Sequence, residues 1–537
     1  MAVNETVNLN IEFIDEFLRR MSNFGFSGTV LIAKGDNILL NGAYGYRNFE
    51  KQLRMETQTA LSTGSISKQF TSTVVMKLFE ENKISLQDNL SKFFPTIPED
   101  KAGITIHQLL THRAGLPSAV GDDFESISKS DYLNKVFSSN LETKPGTMYS
   151  YSNVGYSLLA IITEILTEVP YKSYLSNLLH QVGIQNFGWF GDHLWNEDNS
   201  VSYYLDGENT GSISTWRRDG QENEQYWHIV GNGGVCLSAH DLYIWIRAVM
   251  TGKIVSKDSL RLMTTPKEGD YAYGWRMANS EFGRIIRHNG GSDLGVNSVA
   301  QYYEVEQITI IIFSNTVQNG FGTGFQFENI LNDIIRGKHV ELPPMISSKE
   351  FEFASKKIPV ENSTIFCKTN DLGQKYVGTT GQYLLNQIFQ LPRERYEIFD
   401  TCNNIVEEYG KHILNENYEK VFQLTTRKEV DGSRVGFLKI LIQEVINKIG
   451  EKLEVRVDGT IPGYDHHAMS FLMFTNDLER IGIPVIWAND NEILGIRPMF
   501  AEFALIFVIG RTNDNKYVGY NGLYNIQFDF SQYLQIK

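Results

Sequence analysis

Apolar residues recur at Ile11, Ile14, Phe17, Leu18 and Met21, a helical spacing that Gly25 and Gly28 interrupt, so the chain is predicted to open with an amphipathic helix. Two apolar runs follow, Thr29 to Ala33 and Ile38 to Tyr44. The polar turn Lys34-Gly-Asp-Asn37 between them predicts a β-hairpin. From about residue 60 to 250 the pattern is mainly helical and loop-rich, punctuated by Pro95, Pro98, Pro117, Pro145 and Pro170. Strand-like runs return at Arg284 to His288, Val296 to Tyr303 and Gln307 to Ser314, and Phe325 to Ile335 reads as a closing helix. Terminal hairpins and helices around a helical insertion predict a mixed α/β (α+β) sandwich: an antiparallel sheet flanked by helices, with an all-helical subdomain.

Beyond Leu342-Pro-Pro344 the chain turns polar and charge-alternating, which predicts a first domain over residues 1–340, a linker over 341–362 and a second domain over 363–537. In the second domain Tyr396, Phe399, Cys402, Ile405, Val406 and Tyr409 predict one helix. A second is predicted by Phe437, Leu438, Leu441, Ile442, Val445 and Ile446. Strand-like runs at Leu453 to Val457, Met469 to Phe474, Val485 to Ala488 and Phe503 to Ile509 come after them. Helices before a strand meander is an α+β order, and it resembles the cone of the nuclear-transport-factor-2-like fold.

The length of 537 residues favours two domains, one of them large. With 42% hydrophobic and 21% charged residues the composition is that of a globular protein. The excess of 63 acidic over 49 basic residues, a formal charge of -14, opposes binding to nucleic acid or anionic lipid. The N-terminal stretch lacks the basic, apolar and small-residue order of a secretory signal, and the apolar run at Phe503 to Ile509 is too short for a membrane span, so a cytoplasmic location is expected. Three widely spaced cysteines, Cys236, Cys367 and Cys402, fit reduced thiols. No C-x-x-C, H-E-x-x-H or Walker pattern calls for a metal or nucleotide, so no cofactor is expected. The pair His466-His467, after Tyr464-Asp465, reads as a polar turn, and Gly320-Phe-Gly-Thr-Gly324 as a loop.

Chemistry concentrates in Leu61-Ser-Thr-Gly-Ser-Ile-Ser-Lys-Gln-Phe70, where Ser65 and Lys68 stand three residues apart at the start of a helical pattern. That spacing puts hydroxyl and amine on one helical face, with the hydroxyl at the positive end of the helix. A serine hydroxyl is a weak nucleophile until a neighbouring base takes its proton, and a lysine can do so once desolvation makes it partly neutral. S-x-x-K alone carries little weight: Ser-Ile-Ser-Lys recurs at Ser126 to Lys129, among acidic neighbours, where a solvated loop without function is expected. The first copy is followed in order by Tyr151-Ser-Asn153 and His288-Asn-Gly290.

This ordered set resembles the three motifs of class C β-lactamases, DD-peptidases and the esterases of their fold. The segments Ile104 to Pro117, Pro145 to Asn153, Gly233 to Leu242 and Tyr273-Gly-Trp275 resemble stretches of the same family, so the likeness spans about residues 10 to 337. The resemblance implies Ser65 as acylated nucleophile, Lys68 as its base partner and Tyr151 as a second proton-transfer group. It also implies that Asn153 contacts substrate and that an edge strand through His288, Gly290 and Gly291 lines the site, the backbone N–H groups of Ser65 and Gly291 forming an oxyanion hole. Using Tyr151 as a base would require nearby positive charge, for which Lys68 is the source. Where the family's β-lactamases and peptidases carry Lys-Thr-Gly, this chain has His288-Asn-Gly290. A histidine largely neutral at pH 7 attracts a substrate carboxylate weakly. The expectation is therefore a serine hydrolase of ester or amide acyl groups, acting on a small molecule or peptide. The competing expectation is a catalytically silent binding or scaffold module on the same fold. His112 and His240 lie in family-like segments and are expected to hold loops, outside the site; the sequence leaves the oligomeric state open.

Overall fold

In the computed structural model the chain divides into two compact units, Met1–Leu342 and Pro343–Lys537. The structure describes residues 9–317 apart from 124, 191, 193–198, 206, 215–225, 268, 281 and 293, and 324–347 apart from 336 and 338–339. Further on it describes 356–360, 363–369, 375–381, 399–425, 428, 430–462, 468–475, 480–489, 492–496, 504–521 and 526–531. His466, His467 and residues 320–323 lie outside the described residues, as do the side chains of Cys367 and Cys402; Cys236 is a buried free thiol.

The first unit opens with the expected helix, α1 (Ile11–Met21), whose first turn is capped by Asn10 accepting from the Phe13 N–H and whose buried stripe is Ile14, Phe17, Leu18 and Met21. The hairpin β1 (Gly28–Lys34) and β2 (Asn37–Tyr44) follows. These join β3 (Arg276–Ser280), β4 (Gly283–Gly291), β5 (Asn297–Tyr303) and β6 (Ile308–Ser314) in one antiparallel sheet of order β3-β4-β5-β6-β1-β2. The N- and C-terminal portions of the unit thus meet at β1 and β6, as the separated strand runs of the sequence predict.

Near-continuous apolar runs in β1 and β6, and burial of every residue of β5, mark strands covered on both faces. On one face Leu31, Ala33, Ala300, Ile311 and Phe313 join Phe70 and Trp245 in the main core. The alternate positions, Val30, Ile32, Val299, Ile310 and Ile312, are equally buried. There Tyr303 donates to Asn332, and Gln301 and Arg287 meet Glu328, fixing the helix Gly324–Ile335 across β5 and β6.

Between β2 and β3 lie α2 (Ser67–Glu80), α3 (Lys129–Ser138), α4 (Asn153–Thr167), α5 (Tyr171–Gln181) and α6 (Ala239–Met250), with shorter helical turns. The region is helical as expected but also holds a three-stranded sheet, Leu61–Ser62 with Val235–Leu237 and Phe187–Trp189, that leads directly into α2, and a hairpin, Ser202–Leu205 with Glu208–Ser212, that pairs with Thr316–Val317 from beyond β6. The second Ser-Ile-Ser-Lys is not simply a solvated loop. Ser128 caps α3 by accepting from the Asp131 N–H at 3.1 Å, and Tyr132 and Val136 bury the helix.

In the second unit residues 356–360, placed in the linker by composition, form a strand. Three strands, Lys356–Val360, Ser363–Thr369 and Lys375–Gly381, precede the helices and pair onward through Lys375–Gly381 to Ala504–Arg511, Tyr517–Asn521 and Ile526–Asp529 in a six-stranded antiparallel sheet. The expected order, helices then meander, holds only for what is inserted in that sheet: helices Phe399–Leu414, Tyr418–Gln423 and Gly432–Ile449, then a four-stranded sheet over residues 454–496. Val406, Tyr409, Leu438, Leu441 and Val445 pack on Leu472, Phe474 and Val485. Among the described residues no helix is long and apolar enough to cross a membrane.

Gly28 stands where β1 passes closest to β6: a Cβ there would lie 1.8 Å from the Phe313 carbonyl oxygen, and β1, paired on both edges, cannot move aside without breaking a ladder. Gly28→Ala is expected to cost about 2 kcal/mol or more. Urea unfolding should show a lowered midpoint with an unchanged slope.

Candidate active site

Ser65 sits in the 3-10 turn Gly64–Ile66 that runs into α2, one turn earlier than an α-helical start would place it. Gly64, at φ 49°, lets the chain turn from strand to helix there. Lys68 is in the first turn of α2 and fully buried. Its Nζ lies 3.0 Å from Ser65 Oγ, 2.8 Å from Asn153 Oδ1 and 3.0 Å from the Asn232 carbonyl oxygen. All three partners are uncharged. Burial therefore dominates and pulls the Lys68 ammonium down to about 7, with Asp123 opposing the shift.

Asn153 is the first residue of α4, behind the Ser152 cap. The segment before it is tied to residues 112–118: the Ser152 hydroxyl donates to the Pro117 carbonyl, the Asn153 N–H to the Ser118 carbonyl and the Ser150 N–H to that of His112. These bonds present Tyr151, whose ring lies 4.8 Å from Lys68 Nζ and whose phenol is close enough to Ser65 for that hydroxyl to favour its ionisation slightly. Burial pushes the phenol up to about 12. Lys68 thus stands beside Tyr151, where positive charge for a phenolate was expected, and burial weakens that charge and disfavours the phenolate. An amine that titrates near 7 is at most half-charged at neutral pH, and desolvation holds Tyr151 as a phenol.

The strand β4 delivers the third motif through its alternation. His288 and Gly290 point to the site face, opposite Ala300 and Ser298, while Arg287 and Asn289 turn to Glu328 on the other. At Gly290 a Cβ would lie 2.1 Å from the Thr63 carbonyl oxygen and 2.8 Å from the Ser65 nitrogen, so only glycine lets the strand press against the serine turn. A Cβ on Gly64 would meet the Gly291 nitrogen at 2.9 Å, which places that N–H at the same contact.

His288 is buried. Its Nδ1 faces the Asn289 carbonyl at 2.7 Å and its Nε2 the Tyr271 hydroxyl at 3.0 Å. A carbonyl only accepts, so Nδ1 carries the proton and Nε2 accepts from Tyr271. Burial, with Lys68 and Arg276 nearby, holds the imidazole neutral well below its ordinary range.

Four residues that sequence reasoning did not place in the site lie against it. Asn232 supplies the carbonyl on Lys68, its amide fixed by donating to Ser157 and to the His228 carbonyl. Tyr271 orients His288. Arg276 chelates Asp270 with two 3.0 Å bonds, donates to the Tyr149 hydroxyl and lies over the Tyr271 ring. His112 holds its loop as expected, accepting from the Ser152 N–H at 3.1 Å, and its ring packs 4.1 Å from that of Tyr151. The available signals were Gly231-Asn-Gly-Gly234 and the tyrosines around Trp275, but neither announces chemistry by spacing.

The pocket before Ser65 is walled by Ser62, Asn153, Asn232, Gly291 and Ser292, by the apolar Phe190, Ile229 and Val296, and by Asp123. Among the described residues no cluster of three or more His, Cys, Asp or Glu could hold a metal ion.

The strand β4 is an interior strand and not the expected edge strand, although residues 288–291 run past the end of β3. A half-buried serine on a buried amine, a tyrosine just before the cap of α4 and the glycine-ended tip of β4 define a serine-hydrolase type of site on an antiparallel sheet with a helical subdomain. The Beta-lactamase family model matches residues 17–332, more than half of the chain, and the chain belongs to that family. It is 26% identical over 317 residues to PbpX of Bacillus subtilis (strain 168), covering 59% of this chain and 76% of that protein. To protein flp of Staphylococcus aureus (strain NCTC 8325 / PS 47) it is 27% identical over 282 residues, 49% of this chain and 55% of the relative. Among solved structures it is similar to the octameric penicillin-binding protein homologue from Pyrococcus abyssi (TM-score 0.53, 18% identity, 92% of this chain and 99% of that one). It is also similar to FmtA from Staphylococcus aureus (TM-score 0.51, 19% identity, 62% and 92%). At such identities the two structures speak to the fold alone; family membership supports a serine hydrolase.

His112 carries a prediction for the loop that presents Tyr151. His112→Phe keeps an aromatic ring beside Tyr151 but removes the acceptor of the buried Ser152 N–H, which should cost about 1–3 kcal/mol in urea unfolding.

Proposed function

We propose that the protein hydrolyses or transfers the acyl group of an ester or amide through an acyl-enzyme on Ser65. The observation that carries this is the 3.0 Å contact between Ser65 Oγ and a Lys68 amine whose burial draws its pKa to about 7. A lysine so placed is substantially neutral at physiological pH and accepts the serine proton as the hydroxyl attacks a carbonyl carbon. The Tyr151 phenol, beside Ser65 and Lys68, then relays a proton to the leaving oxygen or nitrogen. The Ser65 and Gly291 N–H groups stabilise the oxyanion, and Asn153 contacts substrate while holding Lys68. Water or another acceptor attacks the acyl-enzyme, and Ser65 is regenerated.

A neutral His288 fits a substrate without a required carboxylate. In the Lys-Thr-Gly relatives a permanent cation stands at this position; here the imidazole is uncharged and occupied by Tyr271 and the Asn289 carbonyl.

Purified protein and its Ser65→Ala variant, treated with a fluorophosphonate probe and a chromogenic short-chain ester, test the reading. Labelling at Ser65 by peptide mass spectrometry, with turnover lost at least a thousandfold in the variant, is expected. Folded wild-type protein that neither labels nor turns over would replace this reading with the silent binding module.

The pH profile tests the base. Because the neutral amine is the active form, kcat/KM should fall about tenfold per unit below pH about 7 and level off above it. An exposed lysine would instead place the limb near about 10.4. Lys68→Arg, which cannot deprotonate, should abolish the plateau.

A further inference from the structure

Resting on the reading of Ser65 as an acyl-transfer nucleophile, the packing around Tyr151 assigns a positioning residue: we infer that Arg276 is the permanent cation that enables Tyr151 to give its proton to the leaving group. Arg276 opens β3, and its side chain is 16% exposed where that of Asp270, the carboxylate it chelates, is 36% exposed. The pair is thus a dipole whose positive end faces inward. That end is fixed at two points. Nη2 donates to the Tyr149 hydroxyl at 2.8 Å, and the guanidinium carbon lies 5.1 Å from the centre of the Tyr271 ring. The Tyr271 ring stands in turn 6.2 Å from that of Tyr151 and nearly perpendicular to it.

None of the other described groups packed around Tyr151 carries a lasting positive charge. His288 accepts from Tyr271 and is neutral; His112, 4.1 Å from the Tyr151 ring, accepts from the Ser152 N–H and is held neutral by burial. Tyr156 and Tyr271 are phenols that burial keeps protonated. Lys68 is charged only between taking the Ser65 proton and passing it on, whereas a guanidinium keeps its charge throughout. Arg276 accordingly favours ionisation of the Tyr151 phenol, against the effect of burial. In the reaction Ser65 Oγ bonds to the carbonyl carbon and its proton goes to Lys68. As the bond from that carbon to the leaving oxygen or nitrogen breaks, the heteroatom keeps the electron pair and takes the Tyr151 proton. Lys68 then returns a proton to the phenolate. A desolvated phenolate is costly without positive charge, and Arg276 supplies that charge as the phenolate forms. The benefit depends on the leaving group: 4-nitrophenolate departs as a stable anion, whereas an alkoxide requires the proton.

The test compares two esters of like size that give the same acyl-enzyme, 4-nitrophenyl butyrate and 4-nitrobenzyl butyrate. The quantity read is the kcat/KM of the first over that of the second, a ratio in which any general loss of activity cancels. The wild type should bring this ratio about tenfold or more below its value for attack by hydroxide, an outcome that needs no variant to fold. Arg276→Gln should raise the ratio about tenfold, and Arg276→Lys, which keeps the charge, should hold it within about threefold of wild type. Tyr151→Phe should raise it at least as far, and adding Arg276→Gln to Tyr151→Phe should raise it no further, because the cation acts only through the phenol. A ratio in Arg276→Gln equal to wild type, one in Arg276→Lys as high as in Arg276→Gln, a further rise in the double variant, or a wild-type ratio at the hydroxide value overturns the inference and leaves acyl transfer on Ser65 standing. Rates that persist in Ser65→Ala overturn the acyl-transfer reading, and this one with it.

Discussion

The site depends on one buried amine. Lys68 occupies the first turn of α2, removed from water and surrounded by the Ser65 hydroxyl, the Asn153 amide oxygen and the Asn232 carbonyl. A lysine side chain loses much of its solvation on burial, and only a contacting carboxylate would recover the charge. With neutral acceptors in its place, the amine sits near its titration point, where a base is most effective at neutral pH. Each acceptor comes from a different part of the chain: the serine turn, the cap of α4 and the segment before Val235–Leu237. The amine therefore also fixes how those three segments meet, so the side chain that supports the chemistry is a structural joint of the helical region.

The sheet supplies the opposite wall by period-two alternation. In β4 two adjacent dipeptide steps send His288 and Gly290 to the nucleophile and Arg287 and Asn289 to Glu328. A register slip of one residue would exchange the two sets and put a guanidinium where the neutral imidazole now stands. That register is pinned by Ser298, whose hydroxyl donates to the Thr63 carbonyl at 2.7 Å, and by Gly290, which has no room for a side chain against that carbonyl. Strand and serine turn are locked at the atoms where an oxyanion would be received.

Much of this is legible before any coordinates, and the boundary is physical. Elements whose periodicity reports burial, such as α1, the β1–β2 hairpin and the isoleucine-rich β6, read directly from spacing. The three motifs read through their order, because Ser65, Tyr151 and His288 each gain meaning only from the others. Hidden from the sequence are groups whose contribution passes through the backbone or through packing. Asn232 acts on Lys68 with its carbonyl, which every residue type possesses. His112 matters through the Ser152 N–H and a ring contact, and Tyr271 through one hydrogen bond to an imidazole. In the second unit, the six-stranded sheet assembles strands more than a hundred residues apart around an inserted helical layer, and local patterning shows only the insertion's own order.

The histidine at position 288 and the carboxylate at position 123 share one electrostatic logic. A permanent cation on β4 would lie close to Lys68, lower its pKa further and attract anionic ligands into the pocket. A neutral imidazole removes that field and leaves the Lys68 shift to burial, with Asp123 opposing it. The same substitution thus weakens the site's pull on carboxylate-bearing ligands and keeps the base near neutrality. Changing His288 to lysine would then act on two properties together. It would lower the pH at which the base becomes active, and it would draw anions towards the pocket, because both are set by the net charge within reach of one buried amine.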